Sequence, residues 1–364
     1  MSRPDTLLRV EAERVEDFDA LGRRWRSLEA EAEPGFFRSW TWVGCLAAER
    51  FPDPVLLHAR QGDRTVGLAL FNRRRGRLLL GESGDRVLDA PFVEHNGPLV
   101  ARDVPAAATA LLRASWSLRG TQRLLLSGVT PDLVRAVDGV ALRLQERAAP
   151  YVDLAAVRRA GGDPLRMMSA NTRQQIRRSI RAYAAQGPLT LARAATVEQA
   201  GTWLEGLMAL HDADWQARGQ AGAFATPFSR RFHHALVARA VQRGELDLLR
   251  VSAGDFPVGF LYNLRLGAVV HAYQAGMNRA VPDPHAKPGM TSHVLAIREA
   301  AAAGHRVYDL MAGDQRYKRS LATEAAPLLW AEFVSRRGLA GRALSIWHTA
   351  RDRLSSFGND VTRR

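Results

Sequence analysis

The pattern of apolar and polar positions is clearest in the second half of the chain, between residues 251 and 318. It predicts a β-hairpin, VSAGDFPVGFLYNL, a third strand, AVVHAYQAGMN, and a proline-broken loop, RAVPDPHAKPG. A helix, MTSHVLAIREAAAAG, and a strand ending in polar residues, RVYDLMAGDQRYK, come next. Unpaired N–H groups and the helix dipole favour negative charge at a helix N-terminus. The pattern therefore predicts a site for a phosphate-bearing ligand where this helix begins.

The rest of the chain predicts a similar alternation of strands and helices. The elements expected in the first half are a strand over residues 6–11, a helix over 16–30, a β-meander over 55–80, a helix over 105–118, a strand over 123–127, and two short strands, ALRLQER and YVDLA. In the second half, two helices precede the hairpin, and a strand, PLLWAEFVS, and a terminal helix over residues 339–355 end the pattern.

A short sequence pattern occurs twice at one fixed offset. Leu56-Leu57, Gly62-Asp63 and Val66-Gly67 recur 192 residues later as Leu248-Leu249, Gly254-Asp255 and Val258-Gly259. The shared spacing predicts an internal duplication. We expect two related domains with mixed, mostly antiparallel sheets flanked by helices, at residues 1–155 and 189–335. An arginine-rich linking helix region at 156–188 and a C-terminal helix and tail at 336–364 complete this division.

Composition narrows the class of protein. A content of 46% hydrophobic and 24% charged residues is that of a globular chain. Cys45 is the only cysteine, which excludes an intramolecular disulfide and a cysteine-rich metal site. It lies in an apolar context that favours a buried side chain. No apolar run approaches the roughly 20 residues of a membrane span, and acidic residues occupy the N-terminus, so we expect a cytoplasmic protein.

The net charge of +14 favours anionic partners, although an arginine-rich composition is also a habit of GC-rich bacterial proteomes. From Pro164 to Val197 there are six arginines and no acid, and this stretch includes SANTRQQIRRSIRAYAAQGP, a predicted helix with Ser169 as its N-cap. Arg173, Arg177 and Arg181 recur there at four-residue spacing, which places them on one side of the helix. A docking surface for an anion and a solvated charged face both remain open.

No phosphate-binding lysine loop, GxSxG, HExxH, paired CxxC or GxGxxG motif occurs. What does occur is a helix rich in arginine, then Pro288-Gly289, Tyr308-Asp309, Gly313-Asp314 and Tyr317-Lys318. This series resembles the FemAB-like, CelD-like branch of the GNAT acyltransferases, in which two GNAT-type halves are fused. The resemblance covers most of the chain and implies a tandem GNAT-like α/β fold.

The resemblance also implies where ligands bind. Acetyl-CoA or another acyl-CoA is the expected donor, with its pyrophosphate against the loop that leads into the helix. The residues expected to bind it are Arg279, Lys287, Gly289, Met290, Thr291, Ser292, Tyr317 and Lys318. Acyl transfer to an amine needs a base and a proton donor, for which His271, Tyr273 and Asp309 are the candidates. No metal is expected.

The expected function is therefore N-acyl transfer to a small-molecule amine or a saccharide. One alternative keeps the fold and changes the donor, since Fem-type proteins use aminoacyl-tRNA and the arginine-rich helix offers charges for its phosphates. A second alternative is a non-catalytic accessory protein of polysaccharide biosynthesis.

Overall fold

The computed structural model describes residues 7–281, 283–336 and 338. Its strands are β1 (Leu8–Arg14), β2 (Pro54–Gln61), β3 (Arg64–Arg74), β4 (Arg77–Leu80), β5 (Leu99–Val100), β6 (Arg123–Val129), β7 (Gly139–Asp153), β8 (Leu189–Arg193), β9 (Leu246–Ala253), β10 (Phe256–Leu266), β11 (Val269–Met277), β12 (Val307–Asp309) and β13 (Glu324–Ser335). Its helices are α1 (Phe18–Glu31), α2 (Trp40–Val43), α3 (Ala47–Arg50), α4 (Ala106–Ala114), α5 (Pro131–Ala136), α6 (Leu154–Arg159), α7 (Ala170–Ala184), α8 (Val197–Gln216), α9 (Pro227–Gln242), α10 (Pro288–Ala302) and α11 (Arg316–Leu321).

All of these strands belong to one mixed sheet. Its order is β1-β2-β3-β4-β6-β13-β7-β12-β11-β10-β9-β8, with β5 paired to β3 off this path. Within each half the strands are antiparallel except for one parallel pair, β4 with β6 in the first and β11 with β12 in the second. The expected mixed α/β fold, with a large sheet flanked by helices, is confirmed.

The two halves exchange their last strands in the middle of the sheet. The last strand of the first half, β7, pairs with β12 of the second, and the last strand of the second half, β13, pairs with β6 of the first. β7 and β13 also pair with each other along almost their whole length. The boundaries expected for the two domains remain a prediction, because neighbouring strands at the centre come from both halves.

The duplicated sequence pattern folds into two hairpins with the same register. Ala59 pairs with Gly67 in the first hairpin, and Val251 pairs with Gly259 in the second, each 192 residues further on. Each hairpin also has a register shift next to this pair, and the two shifts lie at positions that are again 192 residues apart. Gly62 and Gly254 adopt the left-handed conformation in their turns, with φ of 61° and 58°. The repeat in sequence is thus a repeat in backbone geometry.

Three local expectations need correction or fall outside the described residues. The two short strands predicted around Pro150 form one strand, β7, because Pro150 lacks only a donor and its carbonyl still accepts the N–H of Leu310. The helix expected over residues 105–118 ends at Ala114, where a 3₁₀ turn follows. The terminal helix expected over 339–355 lies outside the described residues.

One hydrophobic cluster contains side chains from both halves. The Trp42 ring of the first half lies 5.2 Å from Phe232 and 5.8 Å from Tyr273 of the second, measured between ring centroids. Cys45 is fully buried in this cluster, and burial raises the pKa of its thiol to about 12, as its apolar context indicated. Within the described part of the chain, no helix combines the length and the apolar character that crossing a bilayer requires.

Candidate active site

Contacts with α7 fix the first residues of α10 and leave their backbone exposed to open space. Lys287 caps the helix without a side-chain bond to its first turn, and Pro288 occupies the first helical position. The Ser179 hydroxyl of α7 accepts the Lys287 N–H at 2.8 Å and lies 2.8 Å from the Thr291 hydroxyl. A side chain at Gly289 would meet no heavy atom within 4 Å. The backbone at Gly289 therefore faces open space at the positive end of a helix.

A cavity of about 660 Å³ opens at this helix end. Six of the eight residues expected to bind the donor line it: Arg279, Lys287, Gly289, Met290, Tyr317 and Lys318. The sequence contains only two lysines, and both are in this lining. These six residues are up to 39 positions apart in the sequence, and the fold brings them together at one cavity.

The other two expected donor ligands lie inside the protein. Thr291 and Ser292 are both fully buried and absent from the cavity lining. The Thr291 hydroxyl is engaged with Ser179, so it serves the contact between α7 and α10. The sequence places both residues in the first turn of a helix, but it does not show which side of that helix each hydroxyl faces. The expectation that these hydroxyls reach the donor is not supported.

Positive charge dominates the cavity. Its lining contains four cationic side chains, Arg218, Arg279, Lys287 and Lys318, against one carboxylate, Asp214. Asp214 forms ion pairs with both Arg218 and Arg279, so one acid is shared between two cations. The remaining positive charge favours a ligand that carries several negative charges.

Tyr273 is the one expected catalytic residue on the cavity wall. Its ring stacks on Phe92 of the first half at a centroid distance of 4.8 Å, and its hydroxyl donates to the Phe92 carbonyl at 3.3 Å. Burial raises the pKa of Tyr273, so the phenol remains protonated at neutral pH. It can therefore act as a hydrogen-bond or proton donor, but not as a base.

The loop after β12 is fixed at the cavity wall by charged side chains. The Met311 N–H donates to Asp309 at 2.6 Å, and the Ala312 N–H donates to Glu94 at 2.6 Å. The Lys318 ammonium donates to the carbonyls of both loop residues, at 3.1 and 2.9 Å. These bonds hold Met311 in the left-handed conformation, with φ of 64°, which is costly for a residue other than glycine.

The charges that hold this loop are themselves largely removed from water. Burial lowers the pKa of Lys318, although the nearby carboxylates of Glu94 and Asp309 oppose that shift. Burial raises the pKa of Glu94, against the bond from Ala312 and the charge of Lys318. Lys318 is thus a buried cation that shapes the cavity wall as well as contributing to its charge.

The other two expected catalytic residues, His271 and Asp309, lie behind the wall. They are 3% and 4% exposed and do not line the cavity. They pair across the parallel strands β11 and β12, as expected from their positions. The Nε2 atom of His95, from the first half, lies 2.9 Å from Asp309 Oδ2. The catalytic roles of His271 and Asp309 remain a prediction, and of the three candidates only Tyr273 lines the cavity.

Sequence reasoning missed the segment from Phe92 to His95. In one short stretch of the first half, Phe92 stacks on Tyr273, Glu94 accepts from Ala312, and His95 approaches Asp309. The only signal was a run of polar residues, Glu-His-Asn, inside apolar text without periodicity. The segment is positioned by tertiary contacts across the two halves, which local pattern does not encode.

Two further histidines line the cavity, and they differ in whether both ring nitrogens are already hydrogen-bonded. The Nε2 atom of His211 accepts the Ala223 N–H, and its Nδ1 lies 3.1 Å from the Ala275 carbonyl, so both ring nitrogens are used in the framework. His293 has its Nδ1 bonded to the Tyr308 hydroxyl and its ring stacked on Tyr317. Burial and the charge of Lys318 lower the pKa of His293 to about 4, so its imidazole is neutral at neutral pH.

The arginine-rich helix forms as α7, with Ser169 accepting the Thr172 N–H as its cap. Ile176 and Tyr183 are buried, while Arg177 and Arg181 are exposed on the opposite side. Neither arginine has an acidic partner in the described part of the chain. The helix that supports the start of α10 through Ser179 therefore also presents free positive charge.

A protein-family model described as an acetyltransferase (GNAT) domain matches residues 170–319. That range contains α7, the whole cavity wall contributed by the second half, and the start of α10. No protein among curated sequences matches the chain.

Solved structures share the fold over almost the whole chain at low identity. FemX matches with a TM-score of 0.58 at 10% identity, covering 88% of this chain and 97% of that one. The C-terminal domain of a protein assigned as a lysylphosphatidylglycerol synthetase from Agrobacterium fabrum matches with a TM-score of 0.57 at 11% identity, covering 92% and 96%. L-PGS from Bacillus licheniformis gives 0.56 at 10% identity, covering 89% and 95%. Residues 170–319 are thus similar to a GNAT-type acetyltransferase domain, and the chain shares its overall fold with FemX and L-PGS.

Proposed function

We propose that this protein is an N-acyltransferase that takes an acyl group, acetyl in the simplest case, from an acyl-CoA and transfers it to an amine. The observation that carries the proposal is the cationic cavity at the N-terminus of α10, inside the matched GNAT-type domain. A coenzyme A pyrophosphate suits this place because backbone N–H groups, helix dipole and lysine side chains all favour negative charge there. We assign the chain to the FemAB-like, CelD-like branch as part of the same proposal.

In this proposal Gly289 and Met290 present their N–H groups to the pyrophosphate, and Lys287 and Arg279 neutralise its charge. The absence of a side chain at Gly289 lets a phosphate approach the backbone closely. The acyl end of the donor then points along the cavity towards Tyr273. Tyr273 is a protonated phenol, and it can donate to the oxyanion or to the departing thiolate once its hydroxyl turns away from the Phe92 carbonyl, a long hydrogen bond of 3.3 Å.

The acceptor amine must lose a proton when the amide forms. Among the cavity residues, the neutral imidazole of His293 has one ring nitrogen, Nε2, that the bond to Tyr308 does not use. We propose that His293 accepts a hydrogen bond from the amine or from an intervening water. With a pKa of about 4 it is a weak base, so the final proton acceptor is solvent.

Equilibrium titration of the full chain with acetyl-CoA and longer acyl-CoA thioesters tests the donor. We expect saturable binding at one site per chain. Absence of saturable binding for every thioester would remove the proposal.

A second candidate changes the donor to aminoacyl-tRNA. It is favoured by the free arginines of α7 and by the fold shared with FemX, and it predicts tRNA binding that weakens steeply with salt. The charge reversals Arg177→Glu and Arg181→Glu would then weaken tRNA binding and leave acetyl-CoA binding unchanged. No tRNA binding at low salt would eliminate this candidate.

A further inference from the structure

The cluster of His95, His271 and Asp309 has features that the acyl-transfer proposal does not use. One ring nitrogen of each histidine and one carboxylate oxygen of Asp309 all lie within 4.8 Å of one another. The three residues come from separate parts of the sequence and from both halves of the protein. The cluster lies behind the cavity wall, since none of its members lines the cavity.

An ion pair between His95 and Asp309 accounts for only part of the arrangement. His95 Nε2 lies 2.9 Å from Asp309 Oδ2, yet the nitrogen has no hydrogen bond of acceptable geometry. His271 Nδ1 is also buried without a hydrogen-bond partner. Burying a polar nitrogen without a hydrogen-bond partner is unfavourable, and this applies in full to His271 Nδ1, while His95 Nε2 has only a poorly aligned carboxylate beside it. A common partner for both nitrogens would remove this cost.

The donor set matches a divalent transition metal. Two imidazoles and one carboxylate are a recurrent three-residue set for zinc, with water in the fourth position. Donor atoms around a tetrahedral zinc ion are about 3.4 Å apart, given bonds of about 2.1 Å. To reach that spacing, the short 2.9 Å edge between His95 and Asp309 must lengthen by about half an ångström, and separations of up to 4.8 Å must shorten by about an ångström or more, which rotation of the two imidazole side chains can supply.

The surroundings of the cluster also suit a cation. The second carboxylate oxygen of Asp309 accepts the Met311 N–H, which fixes the orientation of the carboxylate as outer-shell bonds do at metal sites. Phe37 packs edge-on against His271 at 5.4 Å and limits the rotation of that ring. His95 adopts the left-handed conformation, with φ of 53°, so its backbone holds a strained shape that points to an additional constraint.

We propose that His95, His271 and Asp309 bind one zinc ion, which joins the Phe92–His95 segment of the first half to the start of β11 and the end of β12 in the second. The ion would fix the loop behind the cavity wall. It would displace any proton on His95 to solvent, because only the neutral imidazole is a ligand. This proposal is independent of the identity of the acyl donor.

The test measures metal content and affinity in the full chain. After exposure to Zn²⁺ and dialysis, we expect one zinc per chain by elemental analysis, and isothermal titration should give the same stoichiometry. His95→Ala removes a direct ligand and should therefore weaken Zn²⁺ binding by more than the roughly 10- to 100-fold that loss of an outer-shell partner causes. His285→Ala is the matched control, because His285 is exposed and outside the cluster, and it should bind zinc as the parent chain does.

Cobalt provides a second readout that does not depend on stability. Co²⁺ bound at the cluster should give visible absorption typical of a four- or five-coordinate site, and Asp309→Asn should reduce or shift it. Asparagine keeps an oxygen for the Met311 N–H, so this variant changes the ligand charge with little change in shape. Absence of stoichiometric Zn²⁺ binding, or equal affinity in the parent and His95→Ala, would overturn the proposal. A chelator should lower the melting temperature of the zinc-loaded parent and leave that of His95→Ala unchanged.

Discussion

Two nearly isosteric substitutions at Gly289 separate helix stability from donor binding. Gly289 is the second residue of α10, and a side chain there would enter open space, so both Gly289→Asn and Gly289→Asp should fold. An aspartate in the first turn favours the helix dipole by about 0.3–1 kcal/mol, so the Asp variant should be at least as stable as the Asn variant.

Donor binding should respond in the opposite direction. A carboxylate about 5 Å from a pyrophosphate charge costs about 3 kcal/mol at an effective dielectric constant of about 20, which is roughly 100-fold in affinity. Gly289→Asn adds the same volume without the charge and should lose less. Thermal melts and titration with acetyl-CoA on both variants give the two quantities.

The difference between the variants should shrink in high salt, because the carboxylate acts through charge. If both variants are folded and bind acetyl-CoA with equal affinity, the donor does not approach the N-terminus of α10. The reasoning about the cationic cavity would then be refuted even if the chain still binds acetyl-CoA elsewhere.

Three further predictions concern the framework of the site. Ser179→Ala removes the acceptor for the Lys287 N–H and should lower the free energy of unfolding by about 1–3 kcal/mol in urea titrations, whereas Ser117→Ala, at an exposed serine, should change it little. Gly276→Ala should destabilise the folded protein by about 1–3 kcal/mol, because the new Cβ overlaps the Leu207 backbone. Gly201→Ala, whose new Cβ meets no neighbour, should not destabilise it. Equal melting temperatures of the two variants would contradict this contrast. Burial and the Asp89 charge raise the pKa of Glu82 to about 7. The contribution of protonated Glu82 to the free energy of unfolding is therefore present in full below the pKa that this side chain has in the unfolded chain, and it is lost as the pH rises through 7. Glu82→Gln should remove up to about 3 kcal/mol of this pH dependence of the free energy of unfolding.

Features with a local physical signal were predictable from the sequence. The Gly-Asp turns and their flanking apolar alternation identified both hairpins, and the repeat at 192 residues is matched by identical register. Pro288-Gly289 was expected to end the loop before the helix, whereas these two residues are the first two of α10, since proline is favoured at the first helical position. Lys287 and Lys318 were expected together at one ligand site, and both line the cavity.

The exchange of β7 and β13 was not predictable in the same way. The apolar alternation of either strand is compatible with several neighbouring strands. Which strand lies beside it is decided by long-range packing of the whole sheet. Pro150 also led to β7 being divided in two, although only one donor is lost there. Local pattern specifies that a strand forms, but not which strand lies beside it.

The contribution of Phe92, Glu94 and His95 was missed for a related reason. These side chains come from a stretch with no helix or strand, and their partners Tyr273, Ala312 and Asp309 are about 180 to 220 residues away. Likewise, the burial of Thr291 and Ser292 depends on how α10 packs against α7. Only the folded arrangement shows which hydroxyls of the first turn face the cavity.

The most direct test of the central claim is an experimental structure of the full chain with bound acetyl-CoA. We expect the pyrophosphate at the N–H groups of Gly289 and Met290, beside Lys287, and the acetyl group next to Tyr273. Acetyl-CoA bound at another place, such as the second cavity beside Arg26 and Arg239, would contradict it. So would the absence of bound ligand at a saturating concentration.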